Sequence, residues 1–260
     1  MGASGYTGSE LLKILLRHPY IKVKEIIGDK SAGMNISKIF SNFVGVELPI
    51  VKYFDEVDFT NIDVIFSCAP SGVLANIINK LPESLTVIDL SSDFRIKDVE
   101  LYNNYYDTHK NPAFLKKFTY GLTEIFKEQI LNSKFISCPG CYPTSVLLPL
   151  IPLLESNLIN NSDIIIDSKS GITGAGRNTK VELLFSENYG SIKPYGNGNH
   201  RHKPEIEHII KLITNKKIHI SFTPHIIPIN RGILSTIYIK SDLSLVKEKL
   251  NTFYQNSNFV

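Results

Sequence analysis

No run of apolar residues in the 260-residue sequence approaches the ~20 that a membrane-crossing helix requires. The richest stretch, Val146 to Leu154, is broken by Pro149 and Pro152. Cysteine is scarce and odd in number: Cys68, Cys138 and Cys141 make no disulfide framework, so the thiols are expected to be reduced and available for chemistry. Charge of one sign is also lacking. With 28 basic against 25 acidic residues the net charge is +3, and the basic residues are scattered apart from short clusters such as Lys216-Lys217, which excludes a nucleic-acid footprint. No internal repeat and no low-complexity tract occurs beyond local asparagine richness. Glycine and polar residues follow Met1 at once, unlike a secretory leader, so a soluble cytoplasmic protein is the expectation.

What remains is a globular balance, 43% hydrophobic and 20% charged, in a chain long enough for two domains. Thr7 to His18 places Leu11, Leu12, Leu15 and Leu16 on one helical face, and Pro19 ends it. Ile21 to Ile27, Ile62 to Cys68, Leu85 to Leu90 and Phe135 to Ser137 read as strands, with a helix over Val73 to Leu81 between them. Strands alternating with helices predict a parallel sheet covered on its faces. Beyond Cys141 the pattern changes. Helices are expected over Pro143 to Leu154, Pro204 to Ile213 and Leu245 to Tyr254, and strands over Asp163 to Lys169, Lys217 to Pro224 and Ile233 to Lys240. The last two strands, joined around Asn230-Arg231-Gly232, are expected to be antiparallel neighbours. The division is therefore 1–140 and 141–260.

Gly2-Ala3-Ser4-Gly5-Tyr6-Thr7-Gly8 has the spacing GxxGxxG directly before a helix. Glycine lets backbone N–H groups approach a phosphate, and a helix N-terminus adds partial positive charge, so this turn suits a pyrophosphate. An ordinary glycine turn has the same look, and the strand that should precede such a loop is missing before Gly2. Asp29 stands where a ribose-binding acid belongs, while Lys30 and Ser31 could hold a 2′-phosphate; spacing leaves NAD and NADP both open.

Cys138-Pro139-Gly140-Cys141-Tyr142-Pro143-Thr144 follows one predicted strand and opens a predicted helix, a place that favours a thiolate at Cys141. A redox pair, half a zinc site or a merely buried thiol are the competing readings. His200 and His202, two apart, would share a face of an extended segment, with Arg201 opposite. No carboxylate or cysteine completes a metal spacing with His200, His202 and His208, so no metal is expected; His219 and His225 fall on strand surfaces. Lys169-Ser170-Gly171 through Gly174-Ala175-Gly176-Arg177 ends a strand in a glycine-rich loop that could bind an anion, and Arg231 could hold a carboxylate.

These strings occur in one order: GASGYTG, DLSSDFR (Asp89 to Arg95), YGLTE (Tyr120 to Glu124), PGCYPT, KSGITGAGR, HRHKPEI and PHIIPINRGI. Together they closely resemble the N-acetyl-γ-glutamyl-phosphate reductases. The resemblance implies a Rossmann-type NADP-binding domain, its first strand absent, and an α+β catalytic domain cut short at the C-terminus. It also implies an enzyme of arginine biosynthesis that takes a small-molecule substrate and phosphate and forms a homodimer or homotetramer. Carried over residue by residue, Cys141 is the nucleophile, and His200 and His202 are active-site histidines with Glu205 nearby. Gly2, Ser4, Gly5, Tyr6, Thr7, Gly8, Lys30, Ser31 and Pro70 would hold the cofactor, and Lys169, Ser170, Arg177 and Arg231 the substrate. Asn is usual in the family where this sequence has Cys138. Alternatives are an aminoadipyl-phosphate reductase, an aspartate-semialdehyde dehydrogenase, or a truncated remnant without catalysis.

Overall fold

The computed structural model describes residues 1–159, 164–178, 180–196 and 198–260. Helix α1 spans Tyr6–Leu15, β1 Ile26–Ile27, β2 Val51–Lys52, β3 Val64–Ser67, α2 Val73–Ile77, β4 Thr86–Asp89, α3 Val99–Tyr105, β5 Thr119–Tyr120, α4 Thr123–Leu131 and β6 Phe135–Ser137. Strands β3, β4, β6 and β5 lie side by side in that order, all parallel, and β1 pairs with β2, also in parallel. Met1 and Gly2 run between the two sheets: Gly2 N–H donates to Ile27 O, and Cys68 N–H donates to Met1 O. The strand expected over Ile21 to Ile27 forms only at its last two residues, because its partner β2 is itself only two residues long. Tyr20, 91% exposed, meets only the edge of the His18 ring.

A second four-stranded sheet is built wholly from residues after Cys141. Helix α5 spans Cys141–Glu155, β7 Ile164–Gly171, α6 Phe185–Asn188, β8 Lys193–Pro194, α7 His202–Thr214, β9 Ile220–Ile227, β10 Ile233–Tyr238 and α8 Leu243–Tyr254. The predicted start of β7 at Asp163 lies outside the described residues. The strand order is β10-β7-β9-β8, so β9 and β10 are not the neighbours expected. β7 lies between them, parallel to β9 and antiparallel to β10. The reason is the connection at 228–232, which crosses the end of β7. Ile172 and Thr173 donate N–H bonds to Ile229 O and Asn230 O, and Gly171 N–H donates to Gly232 O, carrying the chain to the far side.

Helix α5 organises this half. Val146, Leu147, Leu150, Ile151, Leu153 and Leu154 are all buried, packed against Ile166, Ile209, Ile210 and Phe222. Pro149 and Pro152 lie inside the helix, a defect that costs about 3 kcal/mol each. Six large apolar side chains at roughly 1.5–3 kcal/mol apiece outweigh it, so the helix persists. Its apolar character on every side follows from having β10 on one flank and α7 and α8 on the others.

Candidate active site

Cys141 is the first residue of α5, placed there by the end of β6 and an extended Gly140 at φ −63°, ψ 159°. It is exposed, while the tyrosine after it is buried. Partial burial pushes the Cys141 thiol above its ordinary value, and the backbone N–H groups of Tyr142 and Cys141, together with the charge of Arg95, pull it back. The sulfur is open to solvent at a helix N-terminus, but its ionisation is less favoured than the helix end alone predicts. Cys138 differs in kind. Its N–H donates to Asp89 O at the end of the sheet, and burial and the Asp89 carboxylate push its thiol up to about 11.

Two imidazoles pack around the residues that flank Cys141. A Cβ on Gly140 would lie 2.6 Å from His202 Nε2, so only glycine lets that ring approach. The His200 ring lies edge-on to Tyr142 with centroids 5.5 Å apart, and 4.9 Å from His202. The extended segment expected from the sequence does not form there; His200 precedes α7 and His202 opens it. His202 N–H donates to His200 Nδ1 at 3.1 Å, which assigns the proton of neutral His200 to Nε2. Burial and then Arg201 lower the His200 pKa to about 4, and burial, Arg95, His200 and Arg201 lower that of His202 well below the usual range. Both rings are neutral at neutral pH. Among the described residues no hydrogen bond joins either ring to Cys141 Sγ, and such bonds commonly tighten only when substrate is bound.

Glu205 does not face the cleft. It is fully buried, with Oε1 accepting from Tyr120 Oη at 2.7 Å and Gly140 N–H at 2.9 Å, and Oε2 lying 3.5 Å from Arg95 Nη1. Arg95 donates in turn to Cys138 O and Leu90 O. One carboxylate therefore fastens α7 to the loop that aims Cys141.

The glycine-rich turn fits a dinucleotide. Gly2 has φ +79°, and a Cβ there would stand 2.6 Å from the Cys68 carbonyl carbon; a Cβ on Gly8 would stand 2.4 Å from Gly2 O. The turn therefore lies flush against Cys68 and Ala69, next to Pro70, leaving no side chain to block a phosphate. Helix α1 starts at Tyr6 with no side-chain cap and no acidic residue in its first turn, so its N–H groups are free for an anion. Lys30 is exposed beyond β1, whereas Ser31 is buried with its hydroxyl against Gly28.

A cleft of about 270 Å³ joins these parts, lined by Tyr6, Thr7 and Glu10 of α1, by Cys141, and by Ser170 and Arg231 among others. Of the four expected substrate residues, Ser170 and Arg231 reach it. Lys169 points to the opposite face of the sheet, where it pairs with Asp167 at 2.5 Å, because alternation along β7 sends Ser168 and Ser170 inward. Arg177 is also elsewhere: Gly176 at φ +87° turns the chain, and Arg177 lies 5.2 Å from the Phe40 ring and 3.5 Å from Ser4 O, at the glycine-rich turn.

Two protein-family models match the chain. Residues 1–133 match the semialdehyde dehydrogenase NAD-binding domain, and residues 141–260 match the semialdehyde dehydrogenase dimerisation domain. An N-acetyl-gamma-glutamyl-phosphate reductase of Ehrlichia canis is 44% identical over 269 residues, covering 100% of this chain and 77% of the relative. One of Rhodospirillum rubrum is 40% identical over 270 residues, with the same coverage of 100% and 77%. The chain belongs to the N-acetyl-γ-glutamyl-phosphate reductase family. The fold is shared with aspartate semialdehyde dehydrogenase II of Vibrio cholerae (TM-score 0.70, 16% identity, 96% of this chain and 77% of that one). It is shared as well with the Candida albicans aspartate semialdehyde dehydrogenase with NADP (TM-score 0.64, 19% identity, 96% and 74%).

Within this reductase-family framework the sequence reading missed Arg95 and Tyr120, which anchor Glu205. Both lay inside strings already quoted, DLSSDFR and YGLTE, and a charged or hydroxyl residue inside such a string was the available signal.

Proposed function

We propose that this chain uses NADPH to reduce N-acetyl-γ-glutamyl phosphate to N-acetylglutamate 5-semialdehyde, in arginine biosynthesis in the cytoplasm, by way of a thioester on Cys141. The observation that carries the reading is an exposed cysteine at a helix N-terminus, opening into a cleft whose other wall is the start of α1. The Cys141 thiol gives up its proton to solvent, the thiolate Sγ attacks the γ-acyl carbon, the C–O bond to phosphate breaks, and phosphate leaves with that electron pair. Bound NADPH supplies the hydride that reduces the thioester. The resulting thiohemiacetal collapses, returning the sulfur as a thiolate and releasing the aldehyde. His200 Nε2–H is the donor suited to the carbonyl oxygen as it gains charge, since its Nδ1 is occupied by the His202 N–H. His202 backs Gly140, and Glu205 positions the loop. Gly2, Ser4, Gly5, Tyr6, Thr7, Gly8, Lys30 and Pro70 surround the cofactor, with Ser31 buried beneath Gly28 as a support, and Ser170 and Arg231 face the substrate.

Phosphate-dependent NADP reduction, measured with N-acetylglutamate, aminoadipate and aspartate semialdehydes, tests the assignment; activity with aspartate semialdehyde alone would overturn it. The pH dependence follows from the two shifts. A thiol with a raised pKa is less ionised at neutral pH, so kcat/KM climbs with pH to beyond the ordinary thiol value of about 8.5. A histidine already neutral above about pH 4 adds no inflection near its usual value. A profile that levels off just above neutrality would show that the thiol is not raised.

Arg177 belongs with the cofactor on this reading, its guanidinium placed to face a phosphate beside Ser4. Arg177→Ala is expected to weaken NADPH binding about tenfold, the worth of one charge-assisted contact, with substrate KM unchanged. Fluorescence titration with NADPH and NADH reads this directly. Among the described residues no helix is long and apolar enough to cross a membrane, and the partners we propose are small molecules and a second copy of the chain. The face of the second sheet turned away from α5 exposes Ile165, Leu234 and Tyr238, apolar area suited to pairing into a homodimer or homotetramer, which sedimentation would resolve.

A further inference from the structure

Glu10 and Arg231 meet across the cleft that holds Cys141. Glu10 stands on α1 and Arg231 on the connection between β9 and β10, and Arg231 Nη1 lies 2.7 Å from Glu10 Oε1. The same oxygen accepts from Lys13 Nζ at 2.6 Å. Both partners of the pair are partly open to solvent, at 49% for Arg231 and 39% for Glu10. The arginine backbone is fixed: a Cβ on Gly171 would lie 2.8 Å from Arg231 N, and Thr173 holds Asn230 O through both its hydroxyl and its N–H. Only the guanidinium is free to turn.

A carboxylate shared between two cations can release one of them cheaply. When Arg231 turns away, Glu10 keeps Lys13, three residues along its own helix, and is never left uncompensated. We propose that Glu10 is a resident stand-in for substrate: its carboxylate occupies the place on Arg231 that the substrate's α-carboxylate takes, and surrenders the arginine on binding. This rests on the function proposed above, in which the substrate carries an acyl phosphate for Cys141 at one end and a free carboxylate at the other. The handover also severs this one link between α1 and the β9–β10 connection.

The probe is N-acetylglutamine, whose only carboxylate is the α one and which has no acyl phosphate to react. Calorimetric titration compares the full chain with its Glu10→Gln and Arg231→Gln variants. Removing the stand-in is expected to tighten N-acetylglutamine binding about fivefold, the scale of one exposed ion pair. Arg231→Gln is expected to weaken it at least about tenfold. Unchanged or weaker binding in Glu10→Gln overturns the proposal and leaves the pair as a structural latch. Turnover of wild-type protein with N-acetylglutamate semialdehyde is scored separately. If it is present while Glu10→Gln fails to tighten binding, the stand-in alone falls; if it is absent, the function and the stand-in fall together.

Discussion

Cys141→Ser abolishes turnover, by about four orders of magnitude or more, and leaves NADPH affinity within about twofold. The asymmetry comes from what the sulfur does and where it sits. A hydroxyl at the start of α5 stays protonated through the neutral range, and an alkoxide is a poorer leaving group than a thiolate when the reduced adduct collapses. The glycine-rich turn proposed to hold the cofactor, by contrast, is made of Gly2, Gly5 and Gly8 against Cys68 and Ala69 and does not depend on the Cys141 side chain. A single-turnover measurement of phosphate release isolates the first step, and the variant is expected to show no burst. Cys138→Ser is the paired control. Its thiol, pushed up to about 11 at the end of β6, is neither ionised nor turned to the cleft, so a loss under about threefold is expected. Equal losses from the two substitutions would point to a dithiol mechanism and overturn the assignment of Cys141 as sole nucleophile.

The parallel sheet and most helices were legible because their apolar spacing is local. β6 forms over Phe135–Ser137 as predicted, and α5 extends the predicted Pro143 to Leu154 by a residue or two at each end. The position of β7 between β9 and β10 was not legible, since it depends on hydrogen bonds from Gly171, Ile172 and Thr173 to a connection almost sixty residues later. Lys169 could have been read correctly. Ser168 and Ser170 alternate with it, and period two already sends it to the other face. Arg177 could not, because its direction is set by the left-handed Gly176, which one glycine among several does not announce. Arg95 and Glu205 are the instructive case. In a linear reading charged residues belong to solvent, and only a fold that brings positions 110 apart together turns the two into a buried pair.

Glu205→Ala and Glu205→Gln are expected to part ways, because the two oxygens of the carboxylate have separate duties. Oε1 accepts from Gly140 N–H and Tyr120 Oη and so holds the loop that sets the direction of Cys141; Oε2 faces Arg95. Alanine removes both. It leaves a buried guanidinium without its counter-charge, which costs about 3–5 kcal/mol, and frees Gly140 at the same time. Urea denaturation should show that loss, and kcat should fall well beyond any change in KM, since the substrate contacts proposed at Ser170 and Arg231 are untouched. Glutamine keeps one acceptor oxygen, with geometry for Gly140 and Tyr120, but cancels the charge toward Arg95. It should therefore recover most of the kcat lost in alanine while remaining measurably less stable than wild type. Had Glu205 instead taken part in proton transfer, glutamine would be as inactive as alanine, and the acid limb of the pH–rate profile would change with either substitution. Recovery of kcat by glutamine is thus the outcome that separates a residue that aims the nucleophile from one that handles its proton.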